Sequence, residues 1–334
     1  MPGTPAHLAT THRGTALEAV VRGHVAVVDA DGVLLGCAGD PDAVTTLRSC
    51  IKPLQALPFV RFAADTLRAS EAEIAVACSS HSGEPVHVDA VQSLLGRCGL
   101  DDAALSCGPQ EPFDHIAARS LLAGGVTPGP IYNNCSGKHA GMLAACVARG
   151  WPVAGYAHFD HPLQVEIRSL LGGYAGTDMS AQPYGIDGCG LPTHQLPLRV
   201  LGRMFAAAAV DAGLRRCQDA MAAHPYLVAG RDRLDTAILS VAGAGLTVKV
   251  GGAAVWVGLR RPRGPVLAIK LEAGDATALP AVALAALGAL GWLDRAQLAD
   301  PRLSGFVAPA LVNWAGTHVG ATAVEPGWTA AMRV

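Results

Sequence analysis

Apolar, β-branched runs lie toward both ends of the chain, and the long stretch between them is alanine- and leucine-rich at helical spacing. Val25–Val28 and Val33–Cys37 flank Asp29-Ala30-Asp31-Gly32, a pattern that predicts an antiparallel hairpin around an Asp-Gly turn. Much later, Leu246–Val250, Ala253–Leu259 and Val266–Leu271 repeat the strand pattern. Strands split in this way are satisfied when one sheet gathers both ends of the chain and helices cover it. The order therefore predicts an α/β (α+β) fold, with an antiparallel sheet from both termini and a helical lobe. The strands fall at about 18–40 and 245–272 and the lobe at about 49–240. Residues 1–17 read as an N-terminal tail and 18–334 as a single domain, since no repeat or linker marks a boundary.

Charge and composition narrow the classes of partner. Lys and Arg number 25 against 27 Asp and Glu, so no charge excess is available to hold a polyanion, and no basic run resembles a nucleic-acid surface. The segment Met1–Arg13 lacks the basic and apolar regions of a secretory signal. The apolar run Leu279–Leu293 is too short to span a bilayer and reads as a buried helix. A cytoplasmic protein with a small-molecule partner, no nucleic acid and no membrane is expected. Nine cysteines without an export signal read as reduced thiols, and Cys37, Cys98, Cys107, Cys146 and Cys217 read as packing residues. His24, His158, His161, His194 and His224 read as groups that satisfy local backbone or face solvent.

Chemistry enters with Leu47-Arg48-Ser49-Cys50-Ile51-Lys52-Pro53-Leu54-Gln55. On a helix, positions three apart share a face, so Lys52 is placed to take the proton of the Ser49 hydroxyl once its own ammonium is partly removed from water. The penicillin-recognising serine enzymes carry Ser-x-x-Lys at the start of a helix, a Ser-Asp-Asn loop, and Lys-Thr-Gly on a returning strand. Here the same types occur in the same order: Ser49-x-x-Lys52, Ser80-His81-Ser82, and Lys249-Val250-Gly251. Ser80 with Lys249 forms a second hydroxyl and amine pair. Two such pairs suit an amide hydrolase, which must activate a nucleophile and protonate a leaving nitrogen.

Two glycine-rich loops add metal-ligand types. Asn133–Met142 opens a helix and Tyr184–Pro192 is turn-rich; between them they hold Cys135, His139, Asp187 and Cys189, all of which bind zinc elsewhere in proteins. Spacing alone is equally compatible with two cysteines packed in glycine turns and a solvated Lys138. A phosphate-binding loop is excluded, because Gly-x-x-x-x-Gly-Lys-[Ser/Thr] is absent.

Taken together, Arg22-Gly23-His24-Val25-Ala26-Val27-Val28-Asp29, Arg48-Ser49-x-x-Lys52-Pro53, Ser80-His81-Ser82-Gly83-Glu84, Cys135-Ser136-Gly137-Lys138-His139-Ala140-Gly141-Met142, Gly185-Ile186-Asp187-Gly188-Cys189-Gly190 and His224-Pro225-x-x-Val228-Ala229-Gly230 resemble the asparaginase II family of the Rhizobium type, class 3 L-asparaginases, over about residues 18–320. The resemblance implies a serine β-lactamase/glutaminase-like fold, a homodimer, and hydrolysis of the side-chain amide of L-asparagine to aspartate and ammonia. It implies Ser49, Lys52, Ser80 and Lys249 as catalytic residues, and one Zn2+ per chain on Cys135, Lys138 and Cys189 with water in the fourth position. A lysine ligates only as the neutral amine, so the metal must depress its pKa. Charge complementarity makes Arg48 and Asp187 candidates for the substrate's α-carboxylate and α-ammonium. The zinc could polarise the amide or position the loops, and the two serine and lysine pairs favour positioning. One departure stands out: where the family usually continues Ala-Glu-Gly after Lys249-x-Gly251, this chain has Gly252-Ala253-Ala254. A related serine amidohydrolase acting on glutamine or a β-lactam, and a non-catalytic zinc- or amino-acid-binding homologue, are the competing readings.

Overall fold

The computed structural model describes residues 3–332, and the chain divides into two compact units. The first contains the described residues up to Cys50, Gln195–Ala207 and those from Val241 on; the second contains Ile51–His194 and Ala208–Ser240.

The first unit is built on one antiparallel sheet. Its strands are β1 (Ala6–Arg13), β2 (Ala16–Val28), β3 (Leu34–Ala38), β7 (Leu246–Gly251), β8 (Val255–Arg260), β9 (Val266–Leu271), β10 (Ala310–Val312) and β11 (His318–Val324). β4 (Val44–Thr46), β5 (Tyr184–Ile186) and β6 (Pro192–Pro197) complete the chain order. The large sheet runs β10-β11-β1-β2-β9-β8-β7, with β3 also paired to β2. The predicted hairpin is present: Val25 pairs with Ala38 and Ala26 with Cys37, and Asp29 N–H donates to the Val33 carbonyl at 2.9 Å. Val25, Ala26, Val27 and Val28 are all buried, so both sides of this half of β2 are covered and its run is continuously apolar rather than alternating. Leu279–Ala289 is a helix with apolar residues all round, as a helix enclosed by its surroundings requires.

Three differences from the sequence reading concern this unit. The stretch read as a tail contains β1 and the start of β2, and β1 pairs with β2 on one side and β11 on the other. Beyond the run Leu279–Leu293 read as a buried helix, the chain also contributes β10 and β11, which lie outside the predicted strand regions. β8 begins at Val255, two residues beyond the predicted start, because Ala253 and Ala254 have φ of 57° and 53° and so form the turn.

The second unit is helical. Its early helices are α1 (Lys52–Gln55), α2 (Leu57–Phe62), α3 (Glu71–Ala77), α4 (Pro85–Arg97), α5 (His115–Ala123), α6 (Ser136–Arg149) and α7 (Pro162–Ala175). The helices Ala212–Ala223 and Pro225–Ala229 follow later. α3 starts with a capping box between Ser70 and Glu73, which satisfies N–H groups a helix start leaves unpaired. It then buries Glu73 to Ala77 without a break and packs against α4, α6 and Ala212–Ala223. Gly137 at the start of α6 permits a close approach to α3: a Cβ there would lie 2.2 Å from the Val76 carbonyl oxygen. α4 opens with Pro85 and buries Val88, Val91 and Leu95, the helical spacing read from the sequence.

Candidate active site

The loop Ser79–Glu84 is the short connection between α3 and α4, and every residue in it is buried. Backbone and side-chain bonds hold it along 226–231. Ser80 N–H donates to the Val228 carbonyl at 3.0 Å, Ser82 Oγ donates to the Ala229 carbonyl at 2.7 Å, and Arg231 N–H donates to Glu84 Oε1 at 3.0 Å. Tyr226 OH donates to the other oxygen of Glu84, and that contact, after burial, pushes the phenol up to about 12. The Ser80 hydroxyl is therefore presented by a segment with little freedom.

Lys52, the first residue of α1, is fully buried. Its Nζ donates to the Ser79 carbonyl at 2.6 Å, to Ser80 Oγ at 2.9 Å and to the Asn134 carbonyl at 3.3 Å. Motif spacing predicts a pairing of Lys52 with Ser49; the bond to Ser80 is one that spacing does not reveal. Ser49 itself lies in the 3₁₀ turn Arg48–Ile51, which runs directly into α1.

In the first unit, Lys249 on β7 is fully buried and its Nζ donates to the Val250 carbonyl at 2.9 Å. Its own carbonyl accepts from Cys50 Sγ at 3.3 Å, which fixes the residue after Ser49 to the same strand. Arg48 has φ of 48°, a left-handed conformation that costs a non-glycine residue energy and persists where surrounding structure enforces it. The guanidinium of Arg48 lies over Gly252, where a Cβ would fall 2.7 Å from Nη2. The departure at Gly252 thus gives Arg48 its seat.

Cys135, Lys138 and Cys189 converge in the second unit. All three are buried, and Lys138 Nζ is 3.1 Å from Cys189 Sγ. A hydrogen bond from Cys189 holds the Cys135 thiol well below the usual thiol range against the opposing effect of burial, with the Lys138 charge assisting. The same contact, together with burial, raises Cys189. Burial alone would lower Lys138, but Cys135, Cys189 and Asp187 raise it. Asp187 folds its own turn, accepting from Gly188 N–H at 2.6 Å through Oδ1 and from Gly190 N–H at 2.8 Å through its carbonyl. Asn133 braces the opposite loop, accepting from Cys135 N–H at 2.9 Å.

Among the described residues no group of three or more His, Cys, Asp or Glu side chains is placed to hold a metal; the further nitrogen beside the two thiols is the Lys138 amine. Two thiolates and a neutral amine are donors zinc accepts, and the convergence of these three buried groups fits such an ion. His139, a ligand type by position, has Nδ1 2.6 Å from Tyr156 OH, which also accepts from Ser106 N–H at 3.0 Å, while its buried Nε2 has no hydrogen-bond partner among the described residues. Free thiols remain at Cys37, Cys98, Cys107, Cys146 and Cys217. Burial pushes Cys107 and Cys146 up to about 12, which leaves them as unreactive packing groups.

With this arrangement in view, comparison with known families is decisive. The L-asparaginase II family profile matches residues 9–324. The chain belongs to the L-asparaginase II family. Membership makes it an amidohydrolase of the asparaginase kind, acting on a small-molecule amide. No curated protein sequence matches the chain at a significant level. Among the described residues, no helix is long and apolar enough to cross a membrane.

The residue that sequence reasoning passed over is His81. Motif order alone gives it no role, although a histidine between two serines in a hydroxyl-rich loop carries a signal of its own.

Proposed function

We propose that the protein hydrolyses the side-chain amide of L-asparagine to L-aspartate and ammonia, with the hydroxyls of Ser49 and Ser80 and the amines of Lys52 and Lys249 as its acid–base and nucleophilic groups. The observation that carries this reading is the buried Lys52 amine at 2.9 Å from Ser80 Oγ in a chain of the L-asparaginase II family. A hydroxyl bonded to an amine gains a proton acceptor when it attacks and a donor when nitrogen leaves. Arg48 serves the substrate's α-carboxylate and Asp187 its α-ammonium. Cys135, Lys138 and Cys189 hold one zinc ion per chain, and Lys138 binds it as the neutral amine. When bound, zinc supplies a fixed positive charge that orients the two loops and can polarise a carbonyl. The working protein is a cytoplasmic homodimer.

The turn Gly252-Ala253-Ala254 favours a second reading, in which glutamine or another amide competes with asparagine. No carboxylate occupies this turn, and Arg48 rests on Gly252 instead.

Ammonia release from L-asparagine, L-glutamine and a β-lactam panel, measured with zinc content before and after chelation, tests both readings. Turnover selective for asparagine, abolished in Ser49→Ala with circular dichroism unchanged, is the expected result. Turnover of no amide by a protein that binds zinc and asparagine would replace the enzyme with a binding protein.

A further inference from the structure

His81 follows Ser80 in the chain and is fully buried. Its two ring nitrogens have distinct partners, and those partners assign its proton. Nδ1 accepts from Gly83 N–H at 3.1 Å, so it carries no hydrogen. Ser136 Oγ donates to the Ile131 carbonyl at 2.8 Å and is therefore free to accept from the Nε2–H of His81, 2.9 Å away. Imidazolium would place a second N–H against Gly83 N–H, and burial beside His87, Lys52 and Arg233 holds the ring well below the ordinary histidine range. The ring is also fixed from the side, stacked on His87 at 5.1 Å, with His87 stacked in turn on Tyr226 at 5.9 Å.

Ser136 is the first residue of α6, directly after Cys135 and two before Lys138. The loop bearing Ser80 and the start of α6 are thus tied at two points. One is Lys52, which bonds both Ser80 Oγ and the Asn134 carbonyl; the other is His81 with Ser136. A single tie leaves a hinge, whereas two ties fix an orientation.

We propose that His81 is a positioning residue: as a neutral imidazole donating from Nε2 to Ser136, it sets the Ser80 hydroxyl in register with the start of α6 and its Cys135 and Lys138. This deepens the reading of Ser80 as a reacting hydroxyl and rests on it. A hydroxyl displaced by a fraction of an ångström still binds substrate but reacts slowly, so the role acts on kcat rather than KM.

The test compares His81→Asn, His81→Gln and Ser136→Ala. Asparagine keeps an acceptor near Gly83 but falls short of Ser136, whereas glutamine extends an amide N–H to the place of Nε2. The H81N enzyme should lose roughly 10- to 100-fold in kcat with KM within about threefold, and H81Q should recover most of that loss. S136A should lose at least a similar factor, since it also gives up the Ile131 bond, and the double variant H81N/S136A should lose no more than S136A alone, because both changes break the His81–Ser136 bond. Additive losses, a change confined to KM, or equal activity of H81N and H81Q would overturn the proposal. NMR of 15N-histidine protein, with the His81 signal assigned by its loss in H81Q, supplies a readout independent of turnover. The expected signal is the neutral Nε2–H tautomer, shifted in S136A; an Nδ1–H tautomer or an imidazolium at pH 7 would overturn the proposal even if asparagine proved not to be the substrate. Absence of ammonia release from the unaltered enzyme, with the expected tautomer present, would instead strike at the functional reading.

Discussion

At the scale of single residues, the geometry around Ser80 and Arg48 shows how little separates a reactive group from a packed one. The Ser80 hydroxyl is one of several in its loop, and Ser82 Oγ donates to the Ala229 carbonyl; the bond from the Lys52 amine sets Ser80 apart chemically. Arg48 is held by its neighbours in a left-handed conformation, and its guanidinium needs the missing side chain at Gly252. Gly252→Ala should therefore displace the guanidinium. If Arg48 grips the α-carboxylate, KM for asparagine should rise about tenfold, equivalent to ~1.4 kcal/mol of lost binding, with kcat little changed. Steady-state kinetics on the variant checks this; an unchanged KM would remove Arg48 from the substrate's carboxylate. Both Arg48 and Ser80 were readable as candidates from residue type and motif. The Lys52 partner of Ser80 was not, since 28 positions separate the two and the tertiary fold alone brings the start of α1 to the loop after α3.

At the scale of elements, α3 is the helix on which the second unit is arranged, and two features of it are open to test. Gly137→Ala should destabilise the protein by about 1–3 kcal/mol, because the new Cβ meets the Val76 carbonyl at 2.2 Å and main chain cannot swing aside. Differential scanning calorimetry would register this as a fall in Tm. Glu73 is nearly fully buried and receives bonds from Arg97 Nε at 2.7 Å, Ser93 Oγ at 2.7 Å and Ser70 N–H at 2.6 Å. Burial opposes its ionisation, but these donors outweigh it and hold the carboxyl below its ordinary value of 4.5. A depressed folded-state pKa contributes stability that is present above the unfolded value and lost as pH falls through the folded one. Glu73→Gln should thus cost about 1–3 kcal/mol at pH 7, and denaturant titrations should show the gap from the unaltered protein closing below pH 4.5. The sequence announced α4 by Pro85 and the spacing of Val88, Val91 and Leu95. It disguised β1, β10 and β11, whose partly exposed residues carry a weaker signal than the buried core strands.

For the whole molecule, buried neutral histidines contribute to the response to acid. His24, His81, His87 and His194 are all lowered, burial being the leading cause in each, and His194 is lowered to about 4 from 6.5. In the unfolded chain these rings bind protons below pH 6.5, and in the folded protein they resist, so their contribution to stability is present above 6.5 and lost as pH falls toward 4. Tm should accordingly drop steeply between pH 6.5 and 4, with net proton uptake on unfolding; a flat Tm across that range would contradict their burial as neutral groups. The sequence by itself determined the class of the fold and the family, because hydrophobic periodicity and long motifs are local properties that survive without coordinates. It also supplied the residue types of the candidate site. Only the tertiary structure decided which amine meets which hydroxyl, that His139 Nδ1 meets the Tyr156 hydroxyl, and that His81 binds the start of α6. Those contacts join residues distant in the chain, and their distances depend on helix packing that no local pattern encodes.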